Sequence, residues 1–136
     1  MTAPIIVTGA AGFIGHAVAH RLLARGERVI GVDIVNDYYD PALKEARLAT
    51  FDGNNSFAFE RLDIADADAM ASLVRDHKVV RVVHLAALQV PFCKADPVAG
   101  AKVNVVGTVN VFEATRGCGL KRLAYASSIA AHSFFP

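Results

Sequence analysis

The 136-residue chain has little of what marks membrane, secreted or nucleic-acid-binding proteins. No apolar run approaches the roughly 20 residues of a membrane helix. No basic segment leads into a long apolar stretch: Met1-Thr2-Ala3-Pro4 passes straight into a strand-like run, which predicts no signal peptide. Charge of one sign is not in excess, since 14 Lys and Arg face 13 Asp and Glu for a formal net charge of +1. That balance predicts neither a nucleic-acid partner nor a membrane surface. The two cysteines, Cys93 and Cys118, lie 25 apart without metal-ligand spacing and read as reduced thiols of a cytoplasmic protein. With 54% hydrophobic and 20% charged residues, disorder is excluded. One domain of this length buries roughly two-thirds of its unfolded surface.

What is present is an alternation of strand-length apolar runs with helical patterns. Strands are expected at Ile5 to Thr8, Arg28 to Val32, Phe57 to Leu62, Val79 to Leu85 and Arg122 to Ala126. The fourth, nearly all apolar, reads as buried on both faces. Between them lie four expected helices. The first carries Ile14, Val18 and Leu22 on one face and stops at Gly26. The second starts at Asp40-Pro41 and runs to about Thr50. The third spans Asp66 to His77 with Met70, Leu73 and Val74 inward. The fourth starts at Asp96-Pro97, carries Val98, Val105, Val109 and Phe112, and stops at Gly117. Asp52-Gly53-Asn54-Asn55 reads as a turn. Right-handed crossovers fold this pattern into an α/β, doubly wound parallel sheet of the Rossmann type, in strand order 3-2-1-4-5.

Ligands of such sheets sit beyond the carboxyl ends of the strands. After the first strand stands Thr8 to Gly15, TGAAGFIG, with glycines at 9, 12 and 15. Bare backbone N–H groups at a helix start suit a pyrophosphate. The second strand ends in Asp33, 18 residues beyond Gly15. A carboxylate there accepts hydrogen bonds from adenosine ribose hydroxyls and repels a 2′-phosphate, and no arginine directly follows it, so NAD is favoured over NADP. Asp63-Ile64 at the third strand's end either flanks an adenine ring or starts the next helix. Ala86 and Ala87, after His84-Leu85, would let a cofactor lie against backbone, and His84 itself reads as a core histidine. Ser127-Ser128 after the fifth strand either meets a substrate oxygen or makes a turn. His16 and His20 have metal-compatible i, i+4 spacing, but with no apparent third ligand no metal is expected.

TGAAGFIG, Asp33, Asp63-Ile64, HLAAL, Asn104-Val105-Val106-Gly107-Thr108-Val109-Asn110 and YASSIA together resemble the extended short-chain dehydrogenase/reductase family. More narrowly they resemble its NAD-dependent nucleotide-sugar epimerases and dehydratases. Asn36-Asp37-Tyr38-Tyr39-Asp40, continuing into LKEARLA, is similar to the UDP-glucuronate 4-epimerase branch. The resemblance implies NAD as cofactor. Gly9, Gly12, Phe13, Ile14 and Gly15 would hold its pyrophosphate, Asp33 and Asn36 its adenosine ribose, Asp63 and Ile64 its adenine. Leu85, Ala86, Ala87 and Gln89 would line it along the fourth strand, and Asn104 would brace that region. Ser128 matches the catalytic Ser/Thr position, with Ser127 the weaker candidate. A full-length parent would be a homodimer acting on a nucleotide sugar.

The family's general base is a tyrosine with a lysine four residues on. Here Ala42, Leu43 and Ile129 stand four residues after Tyr38, Tyr39 and Tyr125. Ala131-His132-Ser133 replaces the family's Val-Tyr-Gly. The expectation is therefore an incomplete NAD-binding domain, residues 1–136, without the last strands or the substrate domain, that holds NAD but does not turn over a sugar. His132 to Pro136 reads as a frameshifted or artificial end. An open fifth strand and Phe134-Phe135 predict self-association. A catalytically silent NAD sensor and a reductase or dehydrogenase of small carbonyl compounds share the same cofactor residues.

Overall fold

The computed structural model describes residues 2–120 and 122–129; the expectations for residues 131–136 lie outside them. Five parallel strands form one sheet: β1 (Ile5–Thr8), β2 (Val29–Asp33), β3 (Phe57–Arg61), β4 (Arg81–His84) and β5 (Leu123–Tyr125). Their order is β3-β2-β1-β4-β5, as the alternating pattern implied. Ile5 pairs with Val29 on one side and Arg81 on the other, which puts β1 at the centre.

Alternation along the strands feeds two cores. Ile6, Ile30, Val32 and Val82 point to one face, where they meet Met70, Leu73 and Val74 of α3 (Ala67–Asp76) and Val111 and Ala114 of α6 (Thr108–Gly117). Val7 and Val29 point to the other, against Ala19 of α1 (Phe13–Ala24) and Phe51, which follows α2 (Pro41–Ala49). The expected inward trio of α3 is buried, and Asp66 caps that helix by accepting from the Ala69 N–H at 2.9 Å. Asp40 caps α2 in the same way on Ala42.

Three expectations are corrected and one helix is added. In α1 the buried residues are Gly15 and Ala19; Val18 and Leu22 pack half-buried on the second core as expected, but Ile14 is 63% exposed. β4 is shorter than expected: Val82 lies in the first core and Val83 packs half-buried on the second, but Val80 is exposed, its N–H bonded to the Pro4 carbonyl before the ladder begins. The expected single helix from Asp96 is three pieces: α5 (Pro97–Ala101), a π-helical segment (Lys102–Gly107) and α6. Its extra residue per turn rotates the chain, so Gly100, Gly107 and Val111 face inward and Val98, Val105 and Val109 face out. A short helix, α4 (Val90–Ala95), precedes them unforeseen. Among the described residues no helix is long and apolar enough to cross a membrane.

Candidate functional site

The carboxyl ends of the strands open onto a cavity of about 730 Å³. Its size falls within the usual range for small-molecule and cofactor sites. The turn from β1 into α1 forms its floor. Gly9 has φ +72°, a conformation that L side chains rarely adopt, and a Cβ there would stand 3.0 Å from the Ala86 nitrogen. A Cβ on Gly15 would overlap the Gly9 carbonyl oxygen. The helix begins at Gly12 with no side-chain cap and no acid in its first turn. Its first N–H groups are thus not satisfied by a capping side chain, and its positive end suits an anion.

Asp33 ties this floor to the end of β2. Its carboxylate accepts from the Ala11 N–H at 3.0 Å and the Val35 N–H at 2.8 Å. The second bond holds Val35 at φ +54°, strained for a β-branched residue. Asn36, Asp63 and Ile64 line the same cavity. Asp63 accepts from the Ala65 N–H at 2.9 Å and its carbonyl from the Asp66 N–H at 2.9 Å, a turn that leads into α3, whose cap is Asp66. Lys102 approaches the other carboxylate oxygen of Asp63 at 3.9 Å, an exposed pair of small energetic weight.

Above β4 the wall is Leu85, Ala86, Ala87 and Gln89. A buried polar chain fixes it. Thr8 Oγ1 accepts from the N–H groups of Leu85 (3.0 Å) and Ala86 (3.1 Å) and lies 2.7 Å from His84 Nδ1. With both lone pairs used, its O–H donates to Nδ1. The imidazole proton therefore sits on Nε2 and goes to Thr108 Oγ1 at 2.9 Å. Burial pulls His84 below the ordinary histidine pKa, in keeping with a neutral ring. His84 is a structural residue, as its strand position implied.

Asn104 is not among the residues that line the cavity. Its amide grips the peptide of Leu88 from both sides: Oδ1 accepts from the N–H at 2.7 Å and Nδ2 donates to the carbonyl at 2.9 Å. It braces the loop after β4 rather than lining the site. Ser127 and Ser128 are exposed beyond β5, and Ala126 is the residue of that stretch which lines the cavity. His16 and His20 converge on Thr50 Oγ1, at 2.9 and 2.8 Å. That hydroxyl donates to the Arg47 carbonyl, so both rings donate to it.

Sequence reasoning missed much of the cavity wall, including Tyr38, Tyr39, Lys44, Arg47 and Phe92. Lys44 is buried, donates to the Asn36 carbonyl at 3.0 Å and to the Asn36 amide oxygen, and lies 4.5 Å from the Tyr39 ring centre. Burial lowers its pKa, opposed by the Asp33 charge and reinforced by Arg47. Arg47 Nη1 donates to the Ala11 carbonyl at 3.2 Å and the Tyr39 hydroxyl at 2.9 Å. The one available signal was the Asn36–Tyr39 string continuing into Leu43 to Ala49, which carries both cations.

A doubly wound parallel sheet with a glycine-floored cavity at its carboxyl edge places the molecule among Rossmann-type α/β domains. A family model described as "NAD dependent epimerase/dehydratase family" matches residues 5–133. The chain belongs to that family. It is 37% identical over 124 residues to a UDP-glucuronate 4-epimerase of Thermodesulfobacterium geofontis, covering 90% of this chain and 38% of that protein. Its fold matches a Bacillus cereus UDP-glucuronic acid 4-epimerase solved with UDP-glucuronic acid and NAD, at TM-score 0.86 and 28% identity, over 98% of this chain and 42% of that one. It matches a Thermus thermophilus UDP-glucose 4-epimerase solved with NAD at TM-score 0.76 and 31% identity, over 92% and 37% of the two chains. The chain spans about two-fifths of the length of the curated relatives it matches.

Proposed function

We propose that residues 1–136 are the NAD-binding domain of a cytoplasmic nucleotide-sugar epimerase or dehydratase. The observation that carries this is the joining of Asp33 to the glycine floor of one cavity through the Ala11 N–H. The pyrophosphate lies on Gly9, Gly12, Phe13, Ile14 and Gly15, over the uncapped start of α1. Asp33 and Asn36 take the adenosine ribose, Asp63 and Ile64 the adenine, and Leu85, Ala86, Ala87 and Gln89 the length of the cofactor. Asn104 is a positioning residue, acting through Leu88. Ser128 is the candidate catalytic serine, ahead of Ser127. NAD, when bound, supplies a hydride acceptor and donor at its nicotinamide. The partner in a longer parent is a nucleotide sugar, as for the Bacillus cereus enzyme, and that parent is a homodimer.

These residues by themselves bind and do not epimerise, because no tyrosine among them is followed by lysine four positions on. The lysine's positive charge is what favours a phenolate base near neutral pH. The same absence favours a second reading, an NAD sensor without turnover. Calorimetric titration of NAD and NADP into the purified chain, beside Asp33→Ala, tests the proposal. Saturable NAD binding, weaker in the variant, is expected. No NAD binding overturns it, and conversion of UDP-glucuronate by these residues alone overturns the inactivity. Among the described residues no strand pairs with the outer edge of β5, which supports self-association; a monodisperse monomer at high concentration contradicts it.

A further inference from the structure

The cavity wall around Asp33 carries more positive charge than its acidic signature implies. Lys44 and Arg47, from one face of α2, line it together with Asp33. Lys44 is 5% exposed, and its ammonium stays close enough to Asp33 for that carboxylate to oppose the effect of burial. Two of its three N–H groups go to Asn36. Arg47 spends Nη1 on Ala11 and Tyr39, and among the described residues no partner is recorded for Nη2 or Nε. One ammonium proton and much of a guanidinium fork therefore remain on the wall. Neither cation is neutralised by an ion pair within 4.0 Å among the described residues, where the pairs involve Arg61, Arg75, Arg81, Lys102 and Arg116.

We propose that Lys44 and Arg47 form a latent 2′-phosphate subsite that Asp33 keeps closed by like-charge repulsion. The proposal rests on the reading that the adenosine ribose sits at Asp33. A phosphate monoester there carries about −1.5 to −2 charge at neutral pH, and a guanidinium fork matches its oxygens. With the carboxylate in place, the nearest charge to a 2′-phosphate is repulsive and the ribose hydroxyls are preferred. Without it, the two cations face the phosphate with only the weaker influence of Asp37 on Lys44 set against them. Cofactor choice then depends on one repulsive group set over an attractive pair, not on a lack of positive charge. Lys44 and Arg47 are specificity-determining residues in this sense.

The test is calorimetric titration of NAD, NADP, 5′-AMP and adenosine 2′,5′-bisphosphate into the 136-residue chain at one ionic strength. The proteins are the unaltered chain, Asp33→Ser, and Asp33→Ser combined with Lys44→Met and Arg47→Met, each checked for folding by circular dichroism. Asp33→Ser is expected to tighten NADP and the bisphosphate by about tenfold or more, and not 5′-AMP. Removing the two cations is expected to cancel that gain. Where the triple variant does not fold, Lys44→Met or Arg47→Lys alone in the Asp33→Ser background is expected to forfeit part of it. A gain that survives without the cations, or no gain in Asp33→Ser while NAD still binds, overturns the proposal. Failure of the unaltered chain to bind either dinucleotide overturns the ribose reading itself, and the latent subsite falls with it.

Discussion

Thr8 Oγ1 and His84 Nδ1 meet at 2.7 Å, wholly inside the protein, at the point where the two central strands reach the cavity. The threonine also holds the Leu85 and Ala86 N–H groups. One hydroxyl thus sets the wall along which a cofactor would lie, and it does so only while the imidazole accepts its proton.

A pH dependence of stability follows. The folded state keeps His84 below 6.5, so the unfolded chain binds a proton that the folded one refuses. The stabilisation is complete above 6.5 and is lost as pH falls through that value toward the folded pKa. His16, lowered by burial and then by the charges of His20 and Arg47, acts in the same direction. Urea unfolding is expected to give a falling midpoint from pH 7.5 to pH 5. The slope should be shallower, though not zero, in His84→Gln. An unchanged slope in the variant would place the effect elsewhere.

Gly15→Ala tests the floor. The new methyl would overlap the Gly9 carbonyl, which is backbone and held by the Gly12 N–H at 3.0 Å and by α1 behind it. The turn must open to admit it. A loss of about 1–3 kcal/mol is expected, with much weaker NAD binding. Thermal melts and titration read the two effects separately. Gly26→Ala is a control outside the cavity: its φ of +79° strains a side chain, yet nothing lies within 4 Å of the added carbon, so stability should fall and NAD binding should not.

Gly107→Ala probes the other core. Its Cβ would come within 2.6 Å of Ile64 Cδ1 and Cγ1, and Ile64 both lines the cavity and packs into the core below it. The isoleucine must turn away. A cost of about 1–3 kcal/mol is expected, with weakened adenine-end binding measured with 5′-AMP. Unchanged 5′-AMP affinity in a destabilised variant would separate Ile64 from that end of the site.

Most of the sheet was legible because each strand is a short apolar run closed by a polar or small residue. The glycine loop and Asp33 were legible because their chemistry lies at strand ends. The helix from Asp96 was not. Its valines at 98, 105 and 109 repeat at a helical period, but the π-helical segment turns Gly100 and Gly107 inward instead. Small residues facing a core leave no hydrophobic signal, and backbone packing of Gly107 on Ile64 is invisible in one sequence. Lys44 and Arg47 were missed for another reason. Nothing local tells that α2 leans its basic face over the glycine loop; Phe51 stacked on Phe57, at 4.0 Å between rings, helps to hold the end of that helix against β3.

Asn104 gives the last prediction. It lies within the π-helical segment, whose wider turn lets its amide reach the Leu88 peptide squarely. Asn104→Ala leaves the Leu88 N–H without its partner and the Leu88 carbonyl with the weak Cys93 thiol donor at 3.5 Å alone, and Leu88 is buried. The cost should be about 1–3 kcal/mol. Asn104→Asp separates the two bonds: the acceptor for Leu88 N–H survives, while a carboxylate oxygen replaces the donor and faces the Leu88 carbonyl. Hydrogen exchange at the Leu88 amide is therefore expected to quicken strongly in the alanine variant and less in the aspartate variant, although both lose stability. Since Ala87 and Gln89 flank Leu88 and line the cavity, both variants should also bind NAD more weakly. Equal exchange at Leu88 in the two variants and the unaltered chain would mean that the loop after β4 is held by other contacts.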